Sequence, residues 1–298
     1  MTKIAVLSDI HGNIAALDLA IRDAEKKGAE KIICLGDLVA KYFYPAEVVD
    51  ALRSQSEIVV QGNCDDLVAT NTNYKFARSK LGLGRIEYLA NLPIREQLLI
   101  SGSLINFFHA TPASLDDMYN IFYDNSRSAY REKRVTDIGK MFVNPENVSD
   151  LSGRRISFCG HTHQDFMCVS EPEGATIVAG TKFIIRPQMD VVVNVGSVGD
   201  SSRIVITEDG AKSLLNKDLT YVMIEGELNS ASVTDIKVEI IKVPYQETLK
   251  CVYTDMLEMQ TQGTVSAQPA DMKRIEESLL EMGEPGVPSS EDALRRVR

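Results

Sequence analysis

The chain has 298 residues, 44% of them hydrophobic and 25% charged, the balance of a soluble globular protein long enough to bury one large core. Its formal net charge of −10 weighs against stable binding to nucleic acid or to an anionic membrane, both of which would be repelled. Five cysteines, Cys34, Cys64, Cys159, Cys168 and Cys251, are odd in number and form no CxxC pair, which argues against a disulfide framework and for a reducing, cytoplasmic setting.

Met1-Thr-Lys runs directly into the apolar stretch Ile4 to Leu7, with no long leader, and no later stretch approaches the ~18 apolar residues of a membrane span. The chain therefore reads as neither exported nor membrane-spanning. Residues 3–8 predict a buried strand, and Ile14, Leu17, Leu19, Ala20 and Ala24 follow at helical spacing. The unit recurs twice: a strand over 31–35, Gly36-Asp37 and a helix near 45–54, then a strand over 57–61, Gly62-Asn63 and a helix near 65–79. This βαβαβ pattern predicts parallel pairing. His11 to Asp37 and Asp37 to Asn63 are both 26 residues, so each polar turn falls at the carboxyl end of a strand, the edge where open α/β sheets bind ligands.

Beyond residue 94 the links shorten, and strands are expected at 95–100, 104–109, 155–159, 165–169, 176–179, 190–195, 203–207, 219–224 and 233–241. They suggest a second, largely antiparallel sheet. An insert over 112–152, with a helix near 126–141, is placed to act as a cap or lid. Residues 1–245 are assigned to one domain, and 246–298, with a helix at 270–282, to a helical, partly mobile C-terminal appendage.

Five turns collect side chains suited to divalent metals: Asp9-Ile-His11, Gly36-Asp37, Gly62-Asn63-Cys64-Asp65, Phe108-His109 and Gly160-His161-Thr162-His163. A single Asp after a strand is more often a helix cap, and a lone His more often a hydrogen-bonded core residue. Here all four histidines of the chain sit in these turns, a coincidence that separate structural roles do not explain.

In this order the motifs resemble those of the calcineurin-like metallophosphoesterase family over residues 1–240, closest to small prokaryotic phosphodiesterases with Gly-Asn-Cys-Asp. Asn194-Val-Gly-Ser-Val-Gly199 is similar to that family's Asn-Pro-Gly-Ser-x-Gly segment, with Val195 in place of proline. The resemblance implies a four-layer αββα sandwich of two mixed sheets flanked by helices. It also implies two divalent ions, Mn or Fe ahead of Zn. One would lie on Asp9, His11 and His163, the other on Asn63, His109 and His161, with Asp37 bridging them. Such a pair generates a bridging hydroxide and clamps the oxygens of an in-line displacement at phosphorus.

Many family members carry a histidine at the position of Cys64, where it assists the leaving group. A buried thiol is a poor substitute, and a space-filling role for Cys64 competes with a catalytic one. Asn63, Cys64 and Asp65 are the candidate catalytic residues, although Asp65 also fits a turn or cap. Asn13 and Arg131 are the candidate binding residues. Lys41, Tyr42, Tyr44, Arg127 and Arg134 are weaker ones, because a solvated lid helix accounts for the arginines.

The expected function is hydrolysis of phosphodiesters or phosphomonoesters of small molecules or nucleotides. The alternatives are a dinucleoside polyphosphate hydrolase, a protein phosphatase and, from another class, a catalytically weak metal-binding scaffold. No membrane partner is expected, and self-association into a homo-oligomer stays open.

Overall fold

The computed structural model describes residues 1–117, 138–143, 152–171, 174–207, 210–261 and 269–282. The N-terminal units are β1 (Thr2–Leu7), α1 (Ile14–Lys26), β2 (Lys31–Cys34), α2 (Pro45–Gln55), β3 (Ile58–Val59), α3 (Asn63–Thr70) and α4 (Lys75–Ala90). β1 pairs in parallel with β2, and β2 with β3, as the repeated βα pattern requires. The single helix expected over 65–79 is two helices. The Asn71 side chain accepts the amide of Asn73 at 2.9 Å, a local turn that competes with helix continuation.

The rest of the chain supplies β4 (Arg95–Ile100), β5 (Ser103–Phe108), β6 (Ile156–Cys159), β7 (Asp165–Glu171), β8 (Gly174–Val178) and β9 (Lys182–Ile185). β10 (Val191–Val195), β11 (Ser202–Thr207), β12 (Gly210–Leu215), β13 (Asp218–Gly226), β14 (Ile236–Pro244), α5 (Gln246–Thr261) and α6 (Pro269–Glu281) follow. They do not build one separate sheet. β13, β14 and β9 extend the first sheet in the order β3-β2-β1-β13-β14-β9, and the second runs β4-β5-β6-β10-β7-β8. In the second sheet β5, β6 and β10 are parallel neighbours, so both sheets are mixed. β11 and β12 form a hairpin of their own. Of the helix expected near 126–141, Ile138–Met141 is a 3-10 turn and the remainder lies outside the described residues, as does most of the 112–152 insert.

Alternation along each strand creates the layers. Ile4 and Val6 of β1, Val222 and Ile224 of β13, and Val191, Val193 and Val195 of β10 meet between the two sheets. The opposite face of β1 and β13, with Ala5, Leu7, Tyr221 and Met223, packs beneath Leu17, Ala20 and Ala24 of α1 and Val48, Val49 and Leu52 of α2. Leu249, Val252, Tyr253 and Leu257 of α5 and Ile275 and Leu279 of α6 belong to this same helix-side core. On the outer face of the second sheet, Phe108, Cys159, Phe166, Cys168 and Val192 meet Met141 of the 3-10 turn and Phe142 just after it. Among the described residues, no helix is long and apolar enough to cross a membrane.

Far from the strand ends that carry the polar turns, Arg154 is fully buried. Its guanidinium donates to Ser103 Oγ at 2.6 Å, Ser101 O at 2.7 Å, Thr234 O at 3.0 Å and Ile185 O at 3.2 Å, joining both sheets at one end. Arg154→Met removes all four of these guanidinium hydrogen bonds and is expected to cost about 3 kcal/mol, read as a lower midpoint in urea unfolding.

Candidate metal centre

The carboxyl ends of β1, β2 and β3 in one sheet and of β5 and β6 in the other face a common space. Into it the turns deliver Asp9, His11, Asp37, Asn63, His109, His161 and His163, all seven expected ligands. Asp9, His11, Asp37, His161 and His163 adopt left-handed backbone, with φ between 53° and 69°. Non-glycine residues rarely hold that conformation, and its clustering marks a site where the surrounding structure enforces local strain.

The enforcing contacts are backbone hydrogen bonds between turns. Asp9 N donates to Gly36 O at 3.0 Å, His11 N to Asp37 O at 2.8 Å and Gly160 N to His109 O at 2.8 Å. Gly36 (φ 93°) packs against the Gly62 backbone, and a Cβ on Gly62 would run into Asp37, so the second and third turns touch only because both lack side chains.

Two groups of donor atoms result. In the first, His163 Nε2 lies 3.2 Å from Asp9 Oδ1 and 3.1 Å from His11 Nε2. In the second, Asn63 Oδ1 is 3.0 Å from His109 Nε2 and 3.2 Å from His161 Nδ1. Asp37 stands between them, Oδ2 3.8 Å from His11 Nε2 and Oδ1 3.5 Å from His109 Nε2. Asp9 Oδ2 accepts the His161 amide at 3.0 Å, but the buried Asp9 Oδ1 has no hydrogen-bond donor. His163 Nδ1 donates to Asp200 O at 2.6 Å, which leaves Nε2 aimed at Asp9 Oδ1. Acceptor facing acceptor in a buried space is a donor set that suits a cation.

The electrostatics agree. Burial raises the Asp9 carboxyl, but the imidazoles of His163, His109 and His11 outweigh it and hold the group below the usual carboxylate range. Asp37 is likewise lowered against the opposing effect of burial, chiefly by His109 and His11. Burial, followed by the charge of Lys41, pushes His11 down to about 3, and burial, followed by His109, pushes His161 down to about 4. These two rings are neutral and ready to ligate at neutral pH. His109 moves the other way: burial lowers it, but Asp37 and then Asp9 raise it overall. Both of its nitrogens face acceptors, Nδ1 reaching Leu35 O at 2.7 Å.

The remaining expected site residues are placed as follows. Cys64 lies beside Asp37, whose Oδ1 accepts the Cys64 amide at 2.8 Å, and its thiol can join His11 and Asp37 around one point. Burial, with Asp37 next, pushes the thiol well above its ordinary value, so it is protonated. Asp65 is fully buried and turned toward the backbone, accepting from Gly62 N at 2.9 Å and from Leu38 N at 2.9 Å. It thereby ties the third turn to the second. Asn13 caps α1, accepting from Ala16 N and donating to Gly199 O, both at 3.1 Å. Arg127, Arg131 and Arg134 lie outside the described residues.

Sequence reasoning missed Asp200, the residue directly after the Asn194–Gly199 segment, although that position was a usable signal. Its buried carboxylate takes Lys41 Nζ and Arg274 Nη1. Arg274 had no signal, since it reaches the site from a helix 74 residues further along the chain.

A family model described as the calcineurin-like phosphoesterase superfamily domain matches residues 2–208. An uncharacterized protein of Methanocaldococcus jannaschii is 27% identical over 255 residues, covering 82% of this chain and 88% of its own length. Two solved structures share the fold at 20% identity. A metallophosphoesterase from Sphaerobacter thermophilus has a TM-score of 0.58 and covers 93% of this chain and 100% of its own. A hypothetical protein from Pyrococcus horikoshii has a TM-score of 0.55 and covers 94% and 97%.

His109 has a direct consequence for metal uptake. Its raised pKa means that the metal-free protein carries a proton there beyond the pH at which a free imidazole loses it, and a ligand must shed that proton. Divalent-metal affinity is therefore expected to climb as pH rises through the His109 titration and then to level. Calorimetry in buffers of different ionisation enthalpy checks this, by showing proton release on Mn uptake that fades toward high pH.

Proposed function

The chain belongs to the calcineurin-like phosphoesterase superfamily, and from that membership we propose that it hydrolyses phosphodiester or phosphomonoester bonds of small molecules or nucleotides using two divalent ions. The observation that carries this reading is Asp37, whose two carboxylate oxygens face different histidines, one from each group of donors. Asp9, His11 and His163 would hold one ion and Asn63, His109 and His161 the other, with Asp37 shared. Carboxylate, amide and imidazole donors suit Mn or Fe, with Zn also accommodated. When bound, such ions supply Lewis acidity toward phosphoryl oxygens and lower the pKa of water.

The protein's own part is orientation and charge. Leu35 O and Asp200 O fix the rings of His109 and His163 through their Nδ1 atoms, so that Nε2 of each points into the centre. Asp9 and Asp37, both anionic, prepare the centre for cations and, until these bind, repel a phosphate. Cys64 offers a neutral thiol where an imidazolium would otherwise assist departure of the alcohol. That favours leaving groups stable as anions and makes dinucleoside polyphosphates the second reading, since their leaving group is itself a phosphate. Cys34 and Cys64 are free thiols, in keeping with a cytoplasmic setting.

Purified protein is expected to carry two divalent ions per chain and to hydrolyse bis-nitrophenyl phosphate in a Mn-dependent, chelator-sensitive way. Asp37→Asn should cost roughly a hundredfold or more in turnover, at least as much as loss of a residue that merely supports a ligand. Neither metal nor turnover in the wild-type protein would instead favour a scaffold.

Cys64→His addresses the leaving group. It is expected to raise turnover by up to about a hundredfold on alkyl phosphodiesters and to change nitrophenyl substrates little, because only the poor leaving group needs a proton. Equal gains on both substrates would remove the assignment.

A further inference from the structure

The family-matched segment ends at residue 208, yet a residue of α6 reaches the support of the metal centre. Arg274 Nη1 lies 2.9 Å from Asp200 Oδ1 and 3.0 Å from Asp200 Oδ2. Lys41 Nζ binds the same carboxylate from the loop before α2, where Ala40 and Lys41 are both left-handed. The Asp200 carboxylate is fully buried, so its place depends on these two cations. Its backbone is pinned as well, Asp200 N donating to Ser197 Oγ, which donates in turn to Asp9 O, each at 2.9 Å. Asp200 O then takes the Nδ1 proton of His163 at 2.6 Å.

We infer that Arg274 is a positioning residue for the metal site of Asp9, His11 and His163: through Asp200 it sets the orientation and tautomer of His163, and α6 thereby completes a site whose ligands all lie in the family-matched segment. This role rests on the proposed two-metal reading. A ring whose second nitrogen is firmly held binds metal more tightly, and loss of such a partner typically weakens affinity by about ten- to a hundredfold. α6 is anchored independently by buried Ile275 and Leu279 and by Ser278 Oγ, which accepts Leu215 N at 2.9 Å.

The test is calorimetric titration of the metal-free full chain with Mn. The wild type is expected to show two affinities, and His163→Asn identifies the one that belongs to its site. Arg274→Gln should weaken that same affinity by about ten- to a hundredfold and leave the other intact. Arg274→Lys should recover most of the loss. Lys273→Gln, an exposed neighbour on α6, should bind as the wild type does. In a His163→Asn background, Arg274→Gln should not alter the remaining affinity, because the two changes act on one site. Arg274→Met, which keeps the apolar stem, replaces the Gln variant if the latter does not fold. Folded Arg274 variants with both affinities unchanged, or with both weakened in parallel, overturn the assignment while leaving the two-metal reading in place. A wild-type chain that takes up no divalent ion overturns both.

Discussion

The centre of this molecule is a buried place where acceptors face acceptors. Asp9 Oδ1 has no donor, His163 Nε2 points at it from 3.2 Å, and Asp37 stands between two further imidazoles. Buried anions are costly unless compensated, and two of the rings around them, His11 and His161, are neutral. The protein tolerates the arrangement because the ligands are held by backbone contacts between turns rather than by one another. Five of the seven ligands sit in left-handed backbone, which the inter-turn hydrogen bonds and the contact of Gly36 with Gly62 enforce. A bound divalent ion would convert this local conflict into binding energy.

Two mixed sheets are what make the convergence possible. Each contributes parallel strands, β1 to β3 in one and β5, β6 and β10 in the other, and their carboxyl ends meet at the same edge of the sandwich. The antiparallel additions do different work. β13 and β14 widen the first sheet and supply both its inner and its helix-side core, so the parallel strands are buried on both faces and cannot shift register without moving apolar side chains into the wrong layer. Rigidity at the ligand turns is inherited from that packing. The candidate ligands His109 and His163 are each oriented by a single carbonyl, Leu35 O and Asp200 O. Under the proposed function, Cys64 would leave the metal ligands untouched and lack only a cationic proton donor, separating binding of phosphate esters from assistance to their leaving groups.

Much of the site was legible because its signals are local. A short apolar run followed by Asp-x-His or Gly-Asp places the ligand at a strand end whatever the rest of the chain does, and the repeated 26-residue spacing orders the strands. The destination of the later strands was not legible. β13 and β14 read as members of a second sheet, yet they pair with β1 and with each other, since alternation shows that a strand has two faces but not which neighbour covers its edge. The short β9 escaped notice because four residues, Lys182 to Ile185, carry too little periodicity to stand out. Asp65 shows the same limit from the other side: its place in the Gly62–Asp65 motif suggested chemistry, while its hydrogen bonds to Gly62 and Leu38 reveal how it ties two turns together.

The amino-acid sequence by itself determined the candidate ligands, the strand ends that carry them and the family, because metal binding demands particular donor atoms and those are written into residue identity. Only the tertiary structure decided which candidate ligands share a point in space, that Asp37 stands between two groups, and that Arg274 pairs with Asp200 beside His163. Those relations depend on pairing between segments as far apart as β1 and β13 or Asp200 and α6. Long-range pairing is settled by which faces and charges can be buried together, a property of the whole fold that no local run of residues contains.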